Sequence, residues 1–137
     1  MRRDELVPIS IDGADIQEHW ARPETLDAPA ERATTEMVHI LSPFDPLVNQ
    51  RKRLALFFGY EHRFEAYVPK PKRLFGYFAC PVLIGDEIVA AIDLKTDREE
   101  RKLLVQRWTW LSDASRSARK RQIEDALHHF ETFQLGR

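Results

Sequence analysis

The sequence predicts an α+β domain: a small, strongly curved antiparallel β-sheet, barrel-like, with a short inserted helix and a long C-terminal helix. Three observations predict it. Two strand-like segments, Leu74–Ile84 and Glu87–Lys95, flank Gly85-Asp86, a two-residue connection whose leading glycine suits a type II′ hairpin turn. Strands follow one another instead of alternating with helices, which favours α+β over a doubly wound sheet. Helical spacing is clearest at the end of the chain, where Ile123, Ala126, Leu127, Phe130 and Phe133 recur on one face.

Residues 5–11 alternate loosely and stop at Asp12-Gly13, as a short edge strand and turn would. Asp15–Trp20 suits a brief helical turn. Ala21–Thr35 contains Pro23, Pro29, several acids and little periodicity, and reads as a linker or surface loop. Met37–Leu41 is a short apolar strand, halted by the two prolines of Ser42-Pro43-Phe44-Asp45-Pro46. Gln50–Phe58 predicts a short helix with Leu54, Phe57 and Phe58 on its apolar side and Gly59 as its stop. Arg63–Val68 alternates as a strand. In Glu87–Lys95, Ile88, Ala90, Ile92 and Leu94 fall on one face, with Asp93 and Lys95 opposite. A charged turn, Thr96–Glu100, leads to a third strand, Arg101–Leu111. Ser112 or Asp113 is placed to cap a last helix, Ala114–Leu135, which Gly136 ends.

A chain of 137 residues with 43% hydrophobic and 31% charged residues is long enough for one core and has the composition of a globular protein. No apolar run approaches the ~18 residues that would span a bilayer, no signal-peptide h-region follows the basic N-terminus, and cytoplasm is the expected compartment. Cys80 is the single cysteine, so an internal disulfide and a multi-thiolate zinc site are excluded. The net charge of −1 conceals a division: residues 1–45 hold four Lys/Arg against ten Asp/Glu, residues 46–81 seven against two, and residues 82–137 ten of each. The basic central block is either a phosphate footprint or a solvated face.

Within that block stand Arg51-Lys52-Arg53, at the start of the inserted helix, and Lys70-Pro71-Lys72-Arg73, in a loop. Proline-spaced lysines are expected on a stiff, extended backbone, which loses little entropy on meeting phosphate oxygens. Tyr67, Phe75 and Tyr77 lie nearby, either as stacking rings or as core residues. The Ser42–Pro46 corner is expected to use Ser42 and Asp45 for local turn bonds while Phe44 fills the core. Arg116, Arg119, Lys120 and Arg121 open the last helix, where the dipole prefers acids. His19, His39, His62, His128 and His129 form no metal-ligand spacing, and neither metal nor cofactor is expected. Cys80, in an apolar strand, is expected to be an inert thiol.

Taken in order from Leu41 to Leu111, the Ser-Pro-Phe-Asp-Pro corner, the two basic clusters, Gly59-Tyr60, Phe75-Gly76-Tyr77-Phe78 and the hairpin ending in Asp93–Arg98 form a set. It resembles the C-terminal part of the YcaQ/AlkZ-type winged-helix DNA glycosylases, which repair crosslinked and alkylated DNA. The resemblance implies that residues 1–36 are the remnant of a preceding winged-helix segment and residues 37–137 a barrel-like domain. It also implies contact with duplex DNA, and a companion winged-helix portion encoded upstream. Those enzymes are much longer, and a Gln-x-Gln or Gln-x-Asp motif early in them handles the attacking water. The nearest string here, Gln122-Ile123-Glu124, departs at its last residue and lies on the terminal helix, where i and i+2 diverge. No catalytic residue is therefore expected, and DNA contacts are assigned to Lys70, Lys72, Arg73 and Tyr77, with Arg51, Lys52 and Arg53 second. The competing class is a protein-interaction or structural module in which the acidic N-terminal third complements the basic block and nothing binds DNA.

Overall fold

A computed structural model describes residues 5–15, 17–29 and 37–136. They fall into two compact units, Met1–Arg32 and Ala33–Arg137. In the first, strand β1 (Val7–Ile9) pairs antiparallel with β2 (His19–Ala21), and helix α1 (Pro23–Asp27) follows. The Asp12-Gly13 turn forms, with Gly13 at φ 79°. The helical turn expected over Asp15–Trp20 gives way to β2 at its end, because ladder bonds to β1 recruit His19 and Trp20. The expected linker likewise holds α1, started by Pro23, whose missing N–H is no loss in a first turn. The remainder of that linker, from Ala30, lies outside the described residues.

The second unit is a meander of four antiparallel strands in the order β3 (Val38–Ile40), β4 (Ala79–Ile84), β5 (Glu87–Asp97) and β6 (Lys102–Trp110). Between β3 and β4 stand α2 (Pro46–Asn49), α3 (Arg51–Phe58) and a 3-10 turn at Lys70–Lys72, and α4 (Arg116–Gln134) comes last. The architecture is α+β, as expected, but the sheet stays open, with β3 and β6 at its edges.

One core, on the α4 side, gathers Cys80, Val82, Ile84, Ala90, Ile92 and Leu94 with Ile123 and Leu127 of α4. Burying each of those two helix residues contributes roughly 1.5–3 kcal/mol. The other core joins Val48 of α2, Leu54 of α3, Tyr60 and Ile88. Gly85 has φ 64° while Asp86 does not turn positive, as a type II′ hairpin requires. The pairing slips between Val82 and Leu83, leaving Val89 as an extra residue on β5. This bulge moves Ile88 away from Ala90, Ile92 and Leu94 and into the second core, correcting the single face that alternation predicts.

Other local expectations change for similar reasons. Arg63–Val68 forms no strand; residues 61–65 run without regular structure into a turn, because Glu65 is engaged elsewhere. Leu74–Phe78 is loop, and β4 begins only at Ala79. β5 continues through Asp97, whose Oδ1 accepts the Glu99 and Glu100 N–H groups, so the turn begins two residues later than predicted and ends one later. α4 starts at Arg116 after Ser115 at φ 54°, with no side-chain cap. Asp113 instead pairs with Arg116, and Ser112 Oγ accepts from Arg119. Phe133 is exposed rather than packed.

Candidate functional site

The segment from Glu65 to Phe78 is shaped by two buried carboxylates. Glu65 accepts the Leu74 and Phe75 N–H groups, each at 2.7 Å. Asp93, on β5, accepts the Tyr77 and Phe78 N–H groups, each at 2.9 Å. A carboxylate removed from water is costly unless its oxygens are answered, and two amides on each supply that answer. Between the two pairs sits Gly76 at φ 123°; a Cβ there would come within 2.2 Å of Asp93 Oδ2. The loop is thereby held in one conformation, and it carries Arg73 and Tyr77.

Arg73 is itself oriented: its Nε donates to Val68 O at 2.7 Å and its guanidinium lies 5.1 Å from the centre of the Tyr77 ring. Arg107 of β6 donates to Arg73 O at 2.9 Å. These groups border an open cavity of about 880 Å³ whose lining includes Lys70, Arg73, Tyr77, Lys95, Arg107 and Phe130. Its lining includes a second bulge, between Asp93 and Leu94, which leaves Gln106 extra on β6. Bulges re-aim side chains beside sites. None of the four cations lining the cavity has a carboxylate partner among the described residues. The lining carboxylate, Asp93, is turned onto backbone amides. The cavity thus offers an anion several N–H donors and an aromatic wall.

Three of the expected contact residues, Lys70, Arg73 and Tyr77, meet at this cavity. Lys72 is exposed on the same 3-10 turn but is not part of the lining. The proline-spaced lysines are not extended: the Lys72 N–H donates to Pro69 O at 2.8 Å, closing a tight turn with Pro71 in its first positions. Arg51, Lys52 and Arg53 are exposed along the first turn of α3, away from the cavity lining. Lys95 and Arg107 escape sequence reasoning, since charged residues alternating along a strand look like an ordinary solvated face.

Beside α3 lies His62, 5% exposed, with neither ring nitrogen hydrogen-bonded; the buried Tyr60 hydroxyl is likewise without a partner. Burial and the nearby Arg51 push the His62 pKa below its ordinary value, and burial pushes the Tyr60 hydroxyl up to about 12. Cys80 is buried and its pKa is raised to about 12, chiefly by desolvation, so its thiol stays protonated and unreactive at neutral pH. Asp45 Oδ1 accepts the Leu47 N–H and Ser42 Oγ the Phe44 N–H, the local bonds expected of the corner. Phe44 itself is 67% exposed, contrary to the expected core position. Glu124 is exposed and faces Lys120 at 3.9 Å on α4. Among the described residues no group of three His, Cys, Asp or Glu side chains could hold a metal ion. No described helix is long and apolar enough to cross a membrane.

Residues 1–133 match the AlkZ-like family, described as DNA glycosylase AlkZ-like. The chain belongs to that family, which ties it to DNA repair. No solved structure gives a significant match.

Proposed function

From its membership of the AlkZ-like family, we propose that this chain supplies the grip on duplex DNA for a winged-helix glycosylase acting on crosslinked or alkylated DNA in the cytoplasm. Lys70, Lys72 and Arg73 are the first phosphate contacts, Tyr77 stands beside them, and Arg51, Lys52 and Arg53 form a second set. The observation that supports this most is the cavity rim, where Lys70, Arg73, Lys95 and Arg107 have no carboxylate to answer them among the described residues. A loop clamped by Glu65 and Asp93 presents Arg73 with little entropy left to lose, which suits positioning contacts to phosphate. Residues 1–36 are the trailing end of a winged-helix portion encoded upstream, residues 37–137 the gripping domain, and base excision belongs to the winged-helix portion.

The test is the salt dependence of binding to a short labelled duplex, followed by fluorescence anisotropy. Phosphate contacts release counterions, so log K should fall linearly with log salt, by about 0.9 for each phosphate neutralised. The Lys70→Ala/Lys72→Ala double variant should weaken binding and flatten that line by about 1.8. Binding that ignores salt, or that survives the double variant unchanged, would refute the assignment.

A further inference from the structure

Next to the cationic cavity the surface carries an aromatic array that phosphate contacts leave unused. Phe44 is 67% exposed and Tyr67 93%. The Phe44 ring lies 5.3 Å from Phe64 and 6.1 Å from Phe78, and Phe64 in turn lies 6.2 Å from Tyr67 and 6.4 Å from Phe78. The rings are therefore contiguous, and Phe78 carries the array into the cavity lining. Phe44 is not outside by accident of a loose loop. Its corner is fixed by the Leu47 and Phe44 N–H bonds to Asp45 and Ser42 and by the Leu41 N–H to Pro81 O at 2.9 Å. Two exposed rings continuous with two half-buried ones, on a hydrogen-bonded corner beside a cationic cavity, suit a binding face.

Charge decides what covers it. An apolar peptide would fill the aromatic surface and leave Lys70, Arg73, Lys95 and Arg107 facing nothing. A nucleic-acid strand brings both a π-face for each ring and a phosphate for each cation. Intact duplex hides its base faces in the stack, so only unpaired bases can use the array. We propose that Phe44, Phe64 and Tyr67 form a stacking platform for unpaired nucleotides of DNA, with the adjoining phosphates held by the cations of the cavity. This rests on the DNA-gripping function and adds to it a preference for DNA whose pairing is already broken.

The experiment compares the full chain with Phe44→Ser and Tyr67→Ser on three labelled DNAs of equal length: intact duplex, duplex with an unpaired stretch at its centre, and single strand. The wild type should bind the two DNAs with unpaired bases more tightly than the duplex. Removing a stacking ring should lower that affinity by about 5- to 150-fold while duplex binding changes by less than about two-fold. The ring-retaining Phe44→Tyr and Tyr67→Phe variants should keep the preference, which separates lost stacking from lost folding. Equal losses on duplex and unpaired DNA, no preference in the wild type, or concentration-dependent self-association through these rings would each overturn the platform. In the first two cases the gripping function would survive if Lys70→Ala/Lys72→Ala still weakened binding. Failure to bind any DNA would overturn both.

Discussion

Replacing Gly76 by alanine should be among the most damaging single changes available outside the apolar cores. A Cβ at this position would lie 2.2 Å from Asp93 Oδ2, 2.5 Å from its Cγ and 2.6 Å from its Cβ, and φ is 123°, where L side chains rarely go. Two escapes exist. The Asp93 side chain can swing away, abandoning the Tyr77 and Phe78 N–H groups, or the backbone can leave its φ, which moves the same two amides. Either way two hydrogen bonds to a carboxylate are lost at about 1.5 kcal/mol or more each, with about 1 kcal/mol of residual strain, for a total near 4 kcal/mol. In a chain of this size that is a melting point lower by roughly 12–20 °C. Differential scanning calorimetry reads this directly, with Gly13→Ala as the control, because Gly13 also has positive φ but nothing within 4 Å of its Cβ position. That control should lose only about 1–2 kcal/mol, the cost of the backbone conformation alone. Combined with Asp93→Ala, the Gly76→Ala loss should be strongly sub-additive, since both remove the same clamp. A Gly76→Ala protein melting within about 2 °C of wild type, or full additivity with Asp93→Ala, would refute the clamp.

Glu65→Gln should cost about 2 kcal/mol in urea unfolding, because a carboxamide turns its NH₂ toward one of the two backbone amides that the carboxylate satisfied. Hydrogen exchange should accelerate at the Leu74 and Phe75 amides specifically; unchanged protection there would contradict the assignment. For His62 the folded pKa lies below the unfolded value near 6.5, so the unfolded chain binds more protons on acidification. Its contribution is complete above pH 6.5 and is lost as pH falls through the folded pKa. Melting temperature should drop over that window in the wild type and less in His62→Phe, and parallel pH curves would exclude His62 as the source.

The parts of this protein set by neighbouring residues were legible in its sequence. The Gly85-Asp86 hairpin follows from turn chemistry, α3 and its Gly59 stop from spacing and a left-handed glycine, and most of α4 from periodicity. Family membership was legible too, through an ordered set of motifs that no single one would carry. The candidate site was half visible: Lys70, Arg73 and Tyr77 stood out as a basic, aromatic stretch, while Lys95 and Arg107 did not. What escaped depends on partners far along the chain. Arg63–Val68 alternates like a strand, yet Glu65 answers amides nine and ten residues on, and that clamp replaces a ladder. Ile88 and Phe44 change sides for related reasons. A bulge shifts the strand phase at Val89, and a corner pinned to Pro81 turns its phenylalanine outward. A period of two or 3.6 reports which residues share a face of one element. It cannot report a phase slip, or which buried carboxylate will meet which backbone amide, because those are decided only when separate elements compete to satisfy one another's polar groups.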